Sequence, residues 1–150
     1  MTSANRSHFV YVTYIRTTPE KLWAALMEPE FQRRYWFGSS LAAEWRQGAP
    51  WTLRKADGTV DTAGEVLEID PPRRLVLRWA NVHVAELAAD GPSRCTITLE
   101  PAGSAVKLSI VHEAERPDSR LIASVSGGWP LVLSNLKSLL ETGDVAIASR

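Results

Sequence analysis

A long helical stripe of apolar residues lies near the C-terminus, behind a middle section whose hydrophobic period is two. In the segment 128–141, apolar side chains recur at helical spacing, at Trp129, Val132, Leu133, Leu136 and Leu140. Pro130 fits the first turn of a helix and Gly143 fits a C-terminal stop. An antiparallel sheet with one apolar face needs a cover, and no other predicted element is long enough to supply it. The pattern therefore predicts a curved sheet closed by a C-terminal helix.

The first forty residues predict one strand and two short helices. Residues 9–15 are dense in β-branched and aromatic side chains, which favours a strand. Thr18 can cap the following helix, because Pro19 then occupies the first helical position, where its missing N–H costs nothing. Pro29 ends this helix or opens a second one over residues 30–36.

Between residues 40 and 112 the pattern alternates, which predicts about six strands separated by turn signals such as Asp57-Gly58. Residues 82–93 give no clear prediction. Residues 118–126 predict a short helix, and we expect Gly127-Gly128 to separate it from the long one. The order of elements predicts an α+β fold with six to seven antiparallel strands.

The totals exclude several classes of function. At 150 residues, one domain over 1–150 is the expectation. Lys plus Arg equals Asp plus Glu, 17 each, so we expect no nucleic-acid or anionic lipid partner. The polar N-terminus, the lone Cys95 and the lack of an apolar run of roughly 18 residues predict a cytoplasmic protein without a membrane anchor.

Tryptophan is the compositional outlier, with six copies against three tyrosines and three phenylalanines. Core packing is the simpler interpretation, and lining a cavity for an aromatic ligand is the sharper one. Trp79 shares a strand face with apolar neighbours, and Trp45 and Trp51 lie close enough to a predicted turn to be partly exposed. The candidate wall residues are Trp36, Trp45, Trp51, Trp79 and Trp129, with Leu133 on the helix stripe.

His112 is the polar residue of most interest. It shares its strand face with Val106, Leu108 and Ile110, so its side chain should point inward, while Glu113 points the other way. An inward imidazole can bind a ligand oxygen or act as a base. The alternative is a core histidine whose nitrogens are satisfied by the protein.

Other catalytic chemistry finds no support in the sequence. The three histidines are widely spaced, without an HxxxH or CxxC pattern, so no metal or cofactor is predicted. There is no phosphate-binding loop and no GxSxG nucleophile motif, and Cys95 lies within a strand without an activating neighbour. No catalytic residue is predicted.

Several segments carry a family resemblance, in the right order along the chain. They are Thr18–Trp23, Gly64–Leu75, Leu108–Glu113 and the helix start Gly128-Trp129 with Leu133 and Leu136-Lys137. With these residues the chain resembles bacterial homologues of the activator of the 90-kDa heat-shock chaperone ATPase, in the START-like (SRPBCC, Bet v 1-like) superfamily. The resemblance implies a helix-grip fold whose cavity takes lipids, polyketides or flavonoid-like aromatics.

Three functions follow as expectations. The first is non-enzymatic binding of a small hydrophobic or aromatic molecule between the sheet and the last helix, through Trp36, Trp51, Trp79, His112, Trp129 and Leu133. The second, implied by the family name alone, is co-activation of a heat-shock chaperone ATPase in a stress response. The third is a cyclase or aromatase activity with His112 as general acid or base. The ligand and the oligomeric state stay open.

Overall fold

A computed structural model describes residues 6–149. Its elements in chain order are β1 (Ser7–Ile15), α1 (Pro19–Met27), α2 (Pro29–Tyr35), β2 (Ser40–Ala43), β3 (Pro50–Arg54), β4 (Val60–Asp70), β5 (Arg74–Asn81), α3 (Ala85–Ala88), β6 (Ser93–Ala102), β7 (Ala105–Ala114) and α4 (Arg120–Thr142). The strands form one antiparallel sheet in the order β1-β7-β6-β5-β4-β3-β2. The predicted helix-grip α+β fold is confirmed, with α4 packed on the concave face of the sheet.

The last strand shows how the alternating sequence sets the inner face. Every second residue of β7 is buried, including Val106, Leu108, Ile110 and His112. Glu113 lies on the other face, with 35% of its side chain exposed, near Arg6. The inward orientation predicted for His112 is therefore confirmed, and the register places it opposite Cys95 of β6.

The two short helices begin as the sequence predicts. The Thr18 hydroxyl accepts a hydrogen bond from the Lys21 backbone N–H at 3.2 Å, and Pro19 opens α1. Pro29 opens α2 directly afterwards. The buried side chain of Gln32 then ties the helices to the sheet, because it donates to the Leu26 carbonyl and accepts from the Leu41 N–H. These contacts fix the loop that carries Trp36.

The predicted break before the last helix is wrong. α4 is a single helix of 23 residues, capped by the Ser119 hydroxyl and ended by Gly143 at a φ of 87°. Its buried stripe begins one and a half turns before the glycines, at Leu121 and Ile122, and continues at Trp129 and Val132. Because this whole stripe packs on the sheet, it offsets the cost of about 1 kcal/mol for each glycine and about 3 kcal/mol for the internal proline.

The short helix α3 lies within residues 82–93, for which no element is predicted. It begins after a turn in which the Asn81 side-chain oxygen accepts hydrogen bonds from the backbone N–H groups of His83 and Val84, at 3.0 and 2.7 Å. Leu87 of α3 packs against the hydrophobic core. The turn and the helix form the outer wall of the cleft described below.

Candidate ligand-binding cleft

Four of the six tryptophans form one continuous row of rings between the sheet and α4. The ring centroids of Trp51 and Trp79 lie 4.9 Å apart, those of Trp79 and Trp129 lie 5.6 Å apart, and those of Trp129 and Trp36 lie 5.5 Å apart. All three pairs are tilted, within the range of favourable aromatic contacts. The row joins β3, β5, α4 and the end of α2, and Trp36 ends it on the open side.

Trp51 anchors the row to the sheet. Its indole N–H crosses β4 to donate to the Arg78 carbonyl oxygen on β5, at 2.9 Å. This crossing requires glycine at position 64, because a Cβ there would lie 1.7 Å from that oxygen and 2.8 Å from the indole nitrogen. Trp51 is buried, which excludes the alternative that it is partly exposed, whereas Trp45 is half-buried.

His112 lies beneath the row with both ring nitrogens bonded. Ser93 donates its hydroxyl proton to the Trp79 carbonyl at 3.0 Å, so the Ser93 hydroxyl oxygen accepts from the Nε2–H of His112 at 2.8 Å. The indole N–H of Trp129 donates to Nδ1 at 3.2 Å. The bonds therefore assign a neutral imidazole protonated at Nε2. Burial lowers the pKa of His112 from 6.5 to about 4.

The deepest space under α4 is nearly filled. The remaining void measures about 10 Å³ and is bordered by Trp79, Trp129, Leu133 and neighbouring apolar residues. This void is at the lower limit for one water molecule. The cavity expected between the sheet and the last helix therefore does not extend under the second half of α4, because indole rings occupy that volume.

The usable space lies at the open end of the row. An inner cleft of about 130 Å³ is bordered by Trp36, Trp79 and Trp129, by Leu87 of α3 and by Val125 of α4. An outer cavity of about 550 Å³ shares Trp36 and Leu87 with it and extends towards the β3–β4 turn. Their joint size is that of a site for a small organic molecule.

Polar groups from β4 and β5 line one wall of both spaces. Asp61 and Asn81 border the inner cleft and the outer cavity, and Thr62 borders the inner cleft. Thr62 and Asn81 are opposite each other across the two strands, and the Thr62 hydroxyl donates to the Asp61 carboxylate at 2.9 Å. An apolar cleft with a few converging polar groups is the usual form of a small-molecule site.

Asp90 holds the far wall in place. Its carboxylate accepts from the Leu121 backbone N–H at 3.0 Å and from the Ser119 hydroxyl at 3.1 Å, and it pairs with Arg116 at 3.3 Å. These hydrogen bonds hold the pKa of Asp90 below its usual range, and the bond from the Leu121 backbone N–H contributes most. The loop after α3 is thereby tied to the first turn of α4, which fixes the width of the cleft.

The structure divides the six predicted site residues into two groups. Trp36, Trp79 and Trp129 border the open cleft. Leu133 borders only the small internal void, Trp51 is the buried inner end of the row, and His112 is buried beneath it. Ligand binding by any of the six stays a prediction, and only the first three are placed to make direct contact.

Sequence reasoning missed the polar wall of Asp61, Thr62 and Asn81. One signal was available, because Thr62 and Asn81 are polar residues at buried positions of strands whose other buried residues are apolar. The pairing of β4 with β5, which brings them together, is a long-range feature without a local sequence signature.

Within residues 6–149, no group of three or more histidine, cysteine, aspartate or glutamate side chains is arranged to hold a metal ion. No helix in that range has the length and apolar content needed to cross a bilayer.

The fold and the cleft together define a helix-grip domain of the START-like kind. A family model described as "Activator of Hsp90 ATPase homolog 1-like protein" matches residues 16–141, and the chain belongs to this family. No curated protein matches the sequence.

Solved structures share the fold over nearly the whole chain. Protein MLL2253 from Mesorhizobium loti is 27% identical, with a TM-score of 0.77 over 93% of this chain and 100% of its own. The Aha1 dimer from Colwellia psychrerythraea is 17% identical, with a TM-score of 0.73 over 91% of this chain and 98% of its own. DynU16, a protein of the dynemicin biosynthetic locus, is 21% identical, with a TM-score of 0.78 over 95% of this chain and 51% of its own.

Proposed function

We propose that this protein binds a small aromatic molecule in the open cleft, as a carrier or sensor. The observation that carries the proposal is the contact row of Trp36, Trp129 and Trp79, which borders a cleft open to solvent at one end. Membership of the family, and the structural likeness to a protein of a biosynthetic locus, support a ligand-binding role.

The cleft geometry favours a flat ring. The inner cleft is too small for a bulky lipid but accepts one end of a planar molecule against the indoles, with the remainder in the outer cavity. Burying about 100 Å² of apolar ligand surface contributes about 2.5 kcal/mol, and aromatic contact adds about 1 kcal/mol. The polar wall must therefore supply part of any micromolar affinity.

His112 is not presented to this cleft. Its Nε2–H and its Nδ1 are both engaged within the protein, and its side chain is buried. The geometry therefore supports binding better than acid–base chemistry by this residue.

A fluorescent ligand tests the proposal. Prodan, a neutral naphthalene ketone whose emission shifts in apolar surroundings, should bind saturably to the wild-type protein. Val125→Phe places a larger side chain in the inner cleft and should abolish binding. Leu131→Phe makes the same kind of change on α4 at a residue that borders neither cavity, and should bind like wild type. Equal binding by both variants, or no saturable binding by wild type, would contradict the proposal.

A further inference from the structure

We infer that the ligand presents to the polar wall an uncharged edge with a hydrogen-bond acceptor beside a donor, as a carboxamide or lactam does, and not a carboxylate. This inference rests on the proposed function and specifies the chemistry of the same cleft. It depends on the three residues Asn81, Thr62 and Asp61.

Asn81 supplies the donor. The residue is only 6% exposed, and its side-chain oxygen accepts from two backbone N–H groups, those of His83 and Val84. Because those groups can only donate, the amide orientation is fixed, and the NH₂ group is the part left for the cleft. Within residues 6–149 no group accepts a hydrogen bond from that NH₂ group, and Asn81 borders both the cleft and the outer cavity. Since no fully buried side-chain nitrogen or oxygen in that range lacks a partner, the NH₂ group is open to the cleft. A donor that faces an otherwise apolar cleft favours a ligand acceptor such as a carbonyl oxygen.

Thr62 and Asp61 supply acceptors. The Thr62 hydroxyl proton is committed to the Asp61 carboxylate, so the hydroxyl oxygen offers only its lone pairs to the cleft. Asp61 forms no ion pair with any residue of the range 6–149. These oxygens therefore favour a ligand N–H or O–H group.

The strand register places donor and acceptors side by side. Thr62 of β4 faces Asn81 of β5, and directly opposed residues have Cβ atoms about 5 Å apart. A carboxamide carries its oxygen and its nitrogen about 2.3 Å apart on one edge, and each hydrogen bond adds about 3 Å. One ligand amide can therefore satisfy Asn81 with its oxygen and the Thr62–Asp61 pair with its N–H.

The charges of the cleft disfavour an anion. Asp61 borders the inner cleft, and none of the residues that line this cleft is basic. The outer cavity adds Asp57 and Lys55, whose charges offset each other. A carboxylate ligand would place a second negative charge beside Asp61, with no cation within the inner cleft to compensate it.

Three probes of the same ring system test the inference by isothermal titration calorimetry. These are 2-naphthamide, 2-naphthoate and naphthalene. The amide should bind at least about tenfold more tightly than the other two, which corresponds to the net contribution of one or two hydrogen bonds in the cleft. Similar binding of all three would overturn this inference and leave the proposed function standing, whereas binding of none would overturn both.

Two isosteric variants locate the effect. Asn81→Asp keeps the oxygen that caps the α3 turn but replaces the donor by an anionic acceptor, so affinity for 2-naphthamide should fall about tenfold or more. Asp61→Asn should improve the binding of 2-naphthoate relative to the amide. Asp70→Asn changes the same charge at the other end of β4, where Asp70 pairs with Arg73, and should alter neither. An unchanged amide preference in both cleft variants would overturn the inference.

Discussion

The indole N–H of Trp129 donates to Nδ1 of His112 over 3.2 Å, which links the middle of α4 to the last strand of the sheet. The bond fixes the imidazole as an acceptor at that nitrogen. A proton added there would place an N–H of the imidazole against the indole N–H, donor against donor. This contact therefore opposes protonation of the ring, as its burial does. The stability of the fold is therefore coupled to the charge of one histidine.

Acid should weaken the fold through His112. Its folded-state pKa of about 4 lies below the ordinary 6.5, so its contribution is fully present above pH 6.5 and is lost as the pH falls to about 4. The shift corresponds to about 3 kcal/mol in the free energy of unfolding. Urea unfolding at several pH values, compared with His112→Gln, should show the difference between the two proteins shrinking by about this amount with acid. A difference that does not depend on pH would contradict the assignment.

Removing the indole donor should cost stability without emptying the core. Trp129→Phe keeps a ring in the row but leaves Nδ1 of His112 without a partner, at a cost of about 1–3 kcal/mol. It should also raise the pKa of His112, which NMR titration of the imidazole measures. Trp23→Phe, on half-buried α1, is the control and should leave that pKa unchanged. A pKa of His112 that is the same in Trp129→Phe as in the wild-type protein would show that the bond has no role.

Gly64 should not tolerate even one extra carbon. In Gly64→Ala the new Cβ meets the Arg78 carbonyl and displaces the Trp51 indole, so we expect a loss of about 3 kcal/mol or failure to fold. Gly127→Ala is the matched control, because a Cβ there meets nothing within 4 Å and lies in a helix. That control should gain about 0.5–1 kcal/mol. Thermal unfolding of both proteins checks the contrast, and a stable Gly64→Ala protein would contradict it.

Asp90 should control the order of the cleft wall. Asp90→Ala removes the acceptor for Leu121 N–H and the Ser119 hydroxyl, so the first turn of α4 should lose protection from hydrogen exchange. The affinity for prodan should fall with it, because the first part of α4 borders the cleft. Glu86→Ala, on exposed α3, should change neither quantity. Unaltered exchange at Leu121 and Ile122 in Asp90→Ala would refute the coupling.

Local sequence patterns were sufficient for most of the fold. The inward face of β7 and the starts of α1 and α2 follow from alternation and capping residues that act within a few positions. The continuity of α4 does not follow from local patterns. The local preferences of Gly127 and Pro130 oppose a helix, and tertiary packing enforces it. α3 was also missed, since its start depends on the side chain of Asn81 and not on hydrophobic period.

The site was predictable in its aromatic part only. The strand face of Trp79 and the helix stripe of Trp129 place both rings inward, as the structure confirms. The sequence does not show that the rings fill the space beneath the second half of α4. That filling depends on cross-strand distances, such as the path of the Trp51 indole over Gly64. Co-activation of a chaperone ATPase stays a prediction, because no contact within residues 6–149 bears on it. Cyclase chemistry also stays a prediction, and the two hydrogen bonds of His112 weigh against that residue as its acid or base.

The tilted row of four indoles also makes this protein its own optical probe. Chromophores held 4.9 to 5.6 Å apart at interplanar angles of 53° to 56° share their excited states and transfer energy within the row. Circular dichroism in the aromatic bands and the emission of Trp36 at the open end should therefore report on the spacing of these rings. A ligand that binds between the helix and the sheet would therefore change these spectra, and no added dye would be needed to detect it.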